Sequence, residues 1–326
     1  MGMEGEAGDA ESDAAQRFAE GACIVLENVP KGSQVALDLT EYTTAERFRG
    51  WKMVPPGLHF LAHSAGGSGS EARVGEFMRA APGGTFVRHW DTFNEALAPG
   101  QGCSDEKALE LSRAARSMYL DSQLAPYPSA SLASWQRITT CLSDDLLSRC
   151  SIPKGTSIMP GDPDMRPHER YKHAAIMPYF CSSPRAPTFS DVSTRTTEGL
   201  EPSDVTAFHR GAGSARLRSV LSTCFDDSAE LFVGEFQLAF VLFLMLASLR
   251  AFEQWKRLLE VVSLPDSSAA EFAELYHKLT FSMHFLMSGF LYKFLMIGRT
   301  LHDPCGASQR CNTSSSTHLK TSSWTS

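Results

Sequence analysis

Apolar and polar positions alternate in short runs over the first third of the chain and recur at helical spacing over the last third. Ile24–Leu26 reads as a short strand. Val35, Leu37 and Leu39 alternate with small or polar residues, the period-two signature of a half-buried strand. Leu58, Phe60 and Ala62 share one face of a strand over Leu58–His63, and Thr85–Trp90 is another strand. Turns separate these runs. Asn28-Val29-Pro30-Lys31-Gly32 and Pro55-Pro56-Gly57 use Pro to preset φ and Gly to relieve strain, and Pro82-Gly83-Gly84 leads into the last strand. Ser64–Ser70 is a Gly/Ser loop. Several short strands with turns between them predict a compact, mostly antiparallel, sandwich-like β domain.

The period changes after Ser104. Leu109, Leu111, Ala115, Met118 and Leu120 approximate a helical stripe, which Pro126-Tyr127-Pro128 breaks. Ser129 or Ser131 is placed to cap a helix carrying Leu132, Trp135, Ile138 and Thr139. Ser143, followed by Asp144 and Asp145, starts another, because acids suit a helix N-terminus. Prolines at 153, 160, 163, 167, 178, 184, 187 and 202 then exclude long helices and predict a linker with local strands. Phe236–Ala247 and Leu249–Val262 predict an antiparallel helix pair or one bent helix. The second presents Phe252, Trp255, Leu258, Leu259 and Val262 on one side and a Glu253–Arg257 pair outside. Phe272–Ile297 predicts one or two further helices.

The resulting organisation is α+β. An acidic tail covers 1–13, a β-rich domain with trailing helices 14–150, a Pro-rich linker 151–202, an α-helical domain 203–300, and a Ser/Thr-rich tail 301–326. The two tails are expected to be disordered. Paired helices of this kind are the unit that α-solenoids stack, although no internal repeat is detectable.

Composition narrows the function. Hydrophobic residues make up 43 % of the 326, enough for a real core. The net charge is −7, and five acids fall within the first thirteen residues, which carry no Lys or Arg. The remainder is nearly neutral and shows no basic stripe of the kind phosphate binding needs, so no direct nucleic-acid contact is expected. The eight cysteines form no C-x-x-C pair and read as reduced intracellular thiols. The acidic N-terminus resembles neither a signal nor a transit peptide. Phe236–Leu249 is uncharged for 14 residues, a length that suits a buried helix rather than a membrane span of about 20.

Candidate chemistry is sparse. His89-Trp90-Asp91 is an H-x-D on a strand, and with His168, His173 or His209 it would form the facial triad of a non-haem iron enzyme. Its competing reading is a strand-end pair on a solvated edge. His59 and His63 would sit about 13 Å apart on one strand face, too far for one zinc, so burial or cross-strand hydrogen bonding is expected instead. No G-x-S-x-G, P-loop or dinucleotide fingerprint stands at a strand–helix junction, and Gly66-Gly67-Ser68-Gly69 lacks the lysine a phosphate cradle needs. Phe236, Phe240, Phe243, Phe252 and Trp255 read as core, whereas Trp51 and Tyr127 sit beside turns, where either packing or surface anchoring is open to them. No cofactor is expected.

Four blocks, taken together and in order, resemble the Aar-two splicing-factor family. They are Glu20-Gly21-Ala22 with Asn28–Gly32; Phe48-Arg49-Gly50-Trp51-Lys52-Met53-Val54-Pro55-Pro56-Gly57-Leu58-His59-Phe60; Pro126-Tyr127-Pro128 with Trp135; and Gly234-Glu235-Phe236-Gln237-Leu238-Ala239-Phe240 with Ala251-Phe252-Glu253-Gln254-Trp255-Lys256-Arg257-Leu258-Leu259. The match runs from about Ala14 to Phe285. The resemblance implies a non-enzymatic assembly factor with a β-rich and a helical domain. Members of that family bind the large scaffold protein of the U5 snRNP at its RNase H-like domain, and in some species its Jab/MPN domain. This occurs in a cytoplasmic precursor that matures in the nucleus, where phosphorylation triggers exchange. No membrane is implied. Pro30, Lys31, Gly32, Phe48, Arg49, Gly50, Lys52, Pro55, Pro56, Gly57, His59, Phe60, Pro126, Tyr127, Pro128, Trp135, Glu235, Phe240, Trp255, Lys256 and Arg257 carry the motifs, and their roles are expected to be structural. A generic helical-repeat adaptor and the His89/Asp91 metal enzyme are the alternative functions.

Overall fold

The computed structural model describes residues 15–64, 73–98, 103–159, 187–192, 216–263 and 271–285. The predicted acidic and Ser/Thr-rich tails, the Gly/Ser loop after Ser64, most of the Pro-rich segment, and His168, His173 and His209 lie outside these residues.

The strands are β1 (Ala22–Glu27), β2 (Gln34–Leu37), β3 (Thr40–Thr43), β4 (Gly50–Val54), β5 (Gly57–Ser64), β6 (Val74–Ala80), β7 (Thr85–Asp91), β8 (Ala96–Leu97) and β9 (Ala125–Pro126). They form two sheets, ordered β8-β7-β1-β4-β9 and β3-β2-β5-β6. Most pairings are antiparallel, but β1 runs parallel to β7, and β4 parallel to β9. The sheets face each other over a core that includes Ile24, Leu26, Trp51, Leu61, Met78 and Trp90. The fold is therefore α+β and sandwich-like, as the alternating pattern predicts.

Both sheets are also covered outside, which removes the simple in/out alternation. The outer face of the first sheet, with Cys23, Val25 and Val87, meets helix α1 (Asp105–Arg116). The outer face of the second, with Ala36, Phe60, Ala62 and Phe77, meets the helices that follow. Hence Ala36 is as buried as Val35 and Leu37, and β6 shows no clean alternation from which to read it.

Those helices are α2 (Leu132–Thr139), α3 (Asp144–Arg149), α4 (Ala229–Leu246), α5 (Leu249–Val262) and α6 (Ala273–Phe285). A further helical stretch, 216–224, precedes α4. Serine side chains accept from the first-turn amides of α1, α3, α4 and α5, at Ser104, Ser143, Ser228 and Ser248. Ala247 turns left-handed at φ 54°, and Ser248 starts α5, so α4 and α5 are two helices rather than one bent helix. The Phe243–Phe252 and Phe236–Trp255 ring contacts show them folded back on each other. Helix α4 is long and apolar enough to cross a membrane, but most of it is buried inside the protein.

Three local expectations need correction. The buried stripe of α1 is Ala108, Leu111 and Ala115, while Leu109 and Met118 are more than half exposed. The Ser104 cap sets the helix phase, and Met118, at φ 63°, lies beyond its end. Ser131 makes no side-chain cap on α2, because its hydroxyl donates to the Pro128 carbonyl within a short 3-10 turn. The core face of α5 is centred on Ala251, Gln254, Leu258 and Val261, with Phe252, Trp255 and Leu259 on its flank.

The end of the Pro-rich segment is a strap on the helices. Thr188 N–H donates to the Cys150 carbonyl, and Val192 is buried with Phe225 and Leu258.

Candidate functional site

The motif residues of the first half converge on one corner. Pro55 and Pro56 carry the chain from β4 in the first sheet to β5 in the second. Two bonds from His59 brace this corner. Its Nε2 lies 2.7 Å from the Pro55 carbonyl, which can only accept, so Nε2 donates. Its Nδ1 lies 2.7 Å from Asp38 Oδ2, and the ring is 1 % exposed. Asp38, fully buried, also accepts from the Phe60 N–H at 2.8 Å and the Tyr127 hydroxyl at 2.6 Å. The Tyr127 phenol is raised by burial first and by the Asp38 charge second, so it stays a donor. Every polar atom of the cluster thus has a partner.

The same corner takes in the other motif residues. Tyr127 N–H donates to the Lys52 carbonyl, and the Lys52 ammonium bonds the Asp121 carboxylate. Trp135 Nε1 donates to the Leu58 carbonyl at 2.6 Å, while Phe60 stacks edge-on against Phe77. Arg49 accepts from Leu26 N–H through its carbonyl, and Phe48 packs against Tyr42 and Trp51. Gly50 has φ 124°, and a Cβ there would lie 1.9 Å from the Ile24 carbonyl, so only glycine fits. The Pro30 carbonyl accepts from the Thr44 hydroxyl; Gly32 N–H bonds the Thr44 carbonyl; Lys31 is exposed. Pro126 is exposed and Pro128 half-buried, framing the buried Tyr127. Both Tyr127 and Trp51 pack in the interior rather than anchoring at the surface.

A second buried carboxylate organises the helical half. Glu235 on α4 is 0 % exposed and accepts from Ser190 N–H (3.0 Å), Ser190 Oγ (2.7 Å) and Gln254 Nε2 on α5 (2.7 Å). Burial raises its carboxyl, and the Ser190 and Gln254 bonds oppose that. Gln237 links the two halves. It accepts from Cys141 N–H at 2.8 Å and donates to Ser282 on α6 at 2.7 Å. Phe240 and Trp255 pack against each other between α4 and α5; Lys256 and Arg257 are exposed, with the Lys256 ammonium over the Phe252 ring.

The geometry does not favour reactive chemistry at the residues singled out for it. His89 Nδ1 is 3.2 Å from Glu27 Oε2. Asp91 accepts from Phe93 and Asn94 N–H and from the Asn94 amide, so both its oxygens serve the β7–β8 turn. Among the described residues no group of three His, Cys, Asp or Glu is placed to hold a metal. His63 accepts from Leu97 N–H, and burial lowers it to about 4. The described cysteines are free, and burial raises each thiol, Cys150 to about 12, the opposite of an activated nucleophile. What the arrangement does is tie distant segments of the chain together.

Sequence reading missed Asp38 and Ser190, and gave Gln237 and Gln254 no role beyond their place in the fourth block. Asp38 had one visible signal, an acid between Leu37 and Leu39 in a strand-like run. The others become partners only through contacts distant in sequence.

These features define a two-part β-sandwich and helical-hairpin protein whose buried polar groups serve structure. Residues 20–152 match the AAR2 N-terminal domain, and residues 189–300 match the AAR2 C-terminal repeat region. The family match thus reaches residue 300, beyond Phe285, where the motif resemblance stops. The chain is 31 % identical over 291 residues to the Protein AAR2 homolog of Homo sapiens, covering 79 % of this chain and 73 % of that protein. It is 28 % identical over 283 residues to the Protein AAR2 homolog of Caenorhabditis elegans, covering 79 % and 76 %. The chain belongs to the AAR2 family.

Proposed function

We propose that this chain, a splicing-related assembly factor by its family, binds the large scaffold protein of the U5 snRNP at its RNase H-like domain during particle assembly. The action is binding, not catalysis, and it takes place in the cytoplasm and nucleus, through protein contacts, with no membrane or direct RNA contact. The observation that carries this reading is the family match over both halves of one chain, at 20–152 and 189–300. Two fully buried carboxylates, Asp38 and Glu235, are bonded within the interior, a use of polar groups that suits a binding protein.

The test is a calorimetric titration of this chain against the RNase H-like domain of its own scaffold protein. One-to-one binding is expected. A folded chain that shows no heat and no co-elution with that domain overturns the reading.

A further inference from the structure

A groove of about 550 Å³ runs along the join between the two halves. Pro56, Gly57, Leu58 and His59 wall one side, at the sheet-switching corner, and Arg79 stands at the end of β6. Helix α2 and the turn after it supply Trp135, Gln136, Arg137, Thr140 and Leu142, and α6 contributes Phe281. Its volume is within the range of true ligand sites, and junctions between structural units are where such sites concentrate.

The charge of the groove is opposite to that of the molecule. The chain carries −7 overall, yet no Asp or Glu lines the groove, and its charged walls are the two arginines. Arg79 is held from outside by Asp144 and donates to the Leu142 carbonyl. Arg137 differs. It is exposed on α2, and its guanidinium lies 5.8 Å from the Phe281 ring centroid. Among the described residues no carboxylate is paired with it. A guanidinium resting on an aromatic ring keeps its N–H edge free for a planar, two-point bond to a carboxylate. Phe281, 47 % exposed, gives apolar footing beside it, as Leu58 and Leu132 do along the walls.

We propose that this groove docks an acidic segment of the protein partner, with one carboxylate bound by Arg137 and a neighbouring apolar side chain over Phe281. The inference rests on the assembly-factor reading and names the chemistry of its contact. Two arginines are too few for a nucleic-acid strand, whose binding neutralises many phosphates. A peptide needs only one or two charged anchors set in an apolar, desolvated surround.

The experiment titrates the RNase H-like domain against the native chain, Arg137→Glu, Arg137→Lys, Gln136→Glu, and native and Arg137→Glu chains lacking residues 1–13. Both helix positions are exposed, and loss of the Arg137–Phe281 contact should lower the melting temperature only slightly, so a melt separates a binding loss from misfolding. Arg137→Glu is expected to weaken binding about ten-fold or more, with Gln136→Glu in the same direction. Arg137→Lys should lose part of the affinity, because an ammonium cannot make the two-point bond. Equal binding by the native and Arg137→Glu chains overturns the groove alone. Failure of every chain to bind overturns it together with the assembly-factor reading. Tighter binding after loss of 1–13, absent in the Arg137→Glu background, would make the chain's own acidic segment the occupant and overturn the partner as the source.

Discussion

The Tyr127 hydroxyl donates at 2.6 Å to the same Asp38 oxygen that faces His59 Nδ1, joining positions 89 residues apart. Asp38 is fully buried, accepts from the Phe60 amide and the phenol, and faces His59 Nδ1. Replacing it with Ala strands the His59 ring, the Phe60 amide and the phenol at once. Removing one member of a buried charged network costs about 3–5 kcal/mol. Tyr127→Phe removes a single donor and is expected to cost about 1–3 kcal/mol. Denaturant melts of the two variants check this ranking. A Tyr127→Phe loss equal to that of Asp38→Ala would mean that the phenol, not the carboxylate, organises the corner.

That corner shows how much of the molecule was legible in the sequence. The turn residues announced themselves, because Pro and Gly carry their geometry in their own covalent structure. Strands β1, β5 and β7 and the α4–α5 hairpin were readable from hydropathy. Sheet order was not, since nothing local makes β1 run parallel to β7. Strand β6 was hidden because Glu76, a charge within its run, is buried and bidentate with Arg88 of the other sheet. His59 and His63 were read from strand rise as buried or cross-strand bonded, and both are buried and hydrogen-bonded. Their partners, the Asp38 carboxylate and the Leu97 amide, lie 21 and 34 residues away and follow from topology. The groove at Arg137 had no sequence signal, because its walls come from four separate stretches of chain.

His63 gives the stability a pH dependence. Its ring sits against Trp90, its Nε2 accepts from Leu97 N–H, and burial holds it near 4 against an ordinary 6.5. The folded state therefore binds the proton less readily than the unfolded chain. The contribution of neutral His63 is complete above pH about 6.5 and is lost as pH falls from there toward 4. The shift corresponds to about 3 kcal/mol at most. His63→Gln should lower stability at pH 7.5 yet flatten its fall between pH 6.5 and 4, as read by thermal melts across that range. A native chain whose melting temperature holds steady through that window would contradict the buried, neutral assignment.

The Glu235 carboxyl works in the opposite direction. Burial raises it above its ordinary value of 4.5, so the folded state holds a proton that the unfolded chain releases. Its ionisation therefore reduces stability as pH rises from 4.5 through the folded value. In Glu235→Gln the amide oxygen still accepts from Ser190 N–H and Gln254, and its NH₂ meets the Ser190 hydroxyl. That variant should be at least as stable as the native chain at pH 8, with the difference vanishing near pH 4. Glu235→Ala should instead be destabilised by about 2–4 kcal/mol, through unpaired donors and a cavity. Strong destabilisation of Glu235→Gln at pH 8 would show that the negative charge itself is needed there.

Gly234 sets how closely the helical half approaches the β domain. A Cβ at this position would lie 2.6 Å from the Cys141 carbonyl and 2.6 Å from Leu146 Cδ2. Leu146 can rotate, but the carbonyl belongs to backbone tied by Cys141 N–H to Gln237. Gly234→Ala must therefore push α4 away from the 141–146 segment and strain that bond. Overpacking of this kind costs about 1–3 kcal/mol, more than the gain of about 1 kcal/mol that alanine normally brings to a helix interior. Adding Leu146→Ala should relieve only the side-chain part, so the double variant loses less than the two single losses combined. Strict additivity in denaturant melts would place the strain wholly on the Cys141 carbonyl. A stabilised Gly234→Ala chain would show that α4 does not approach this segment so closely.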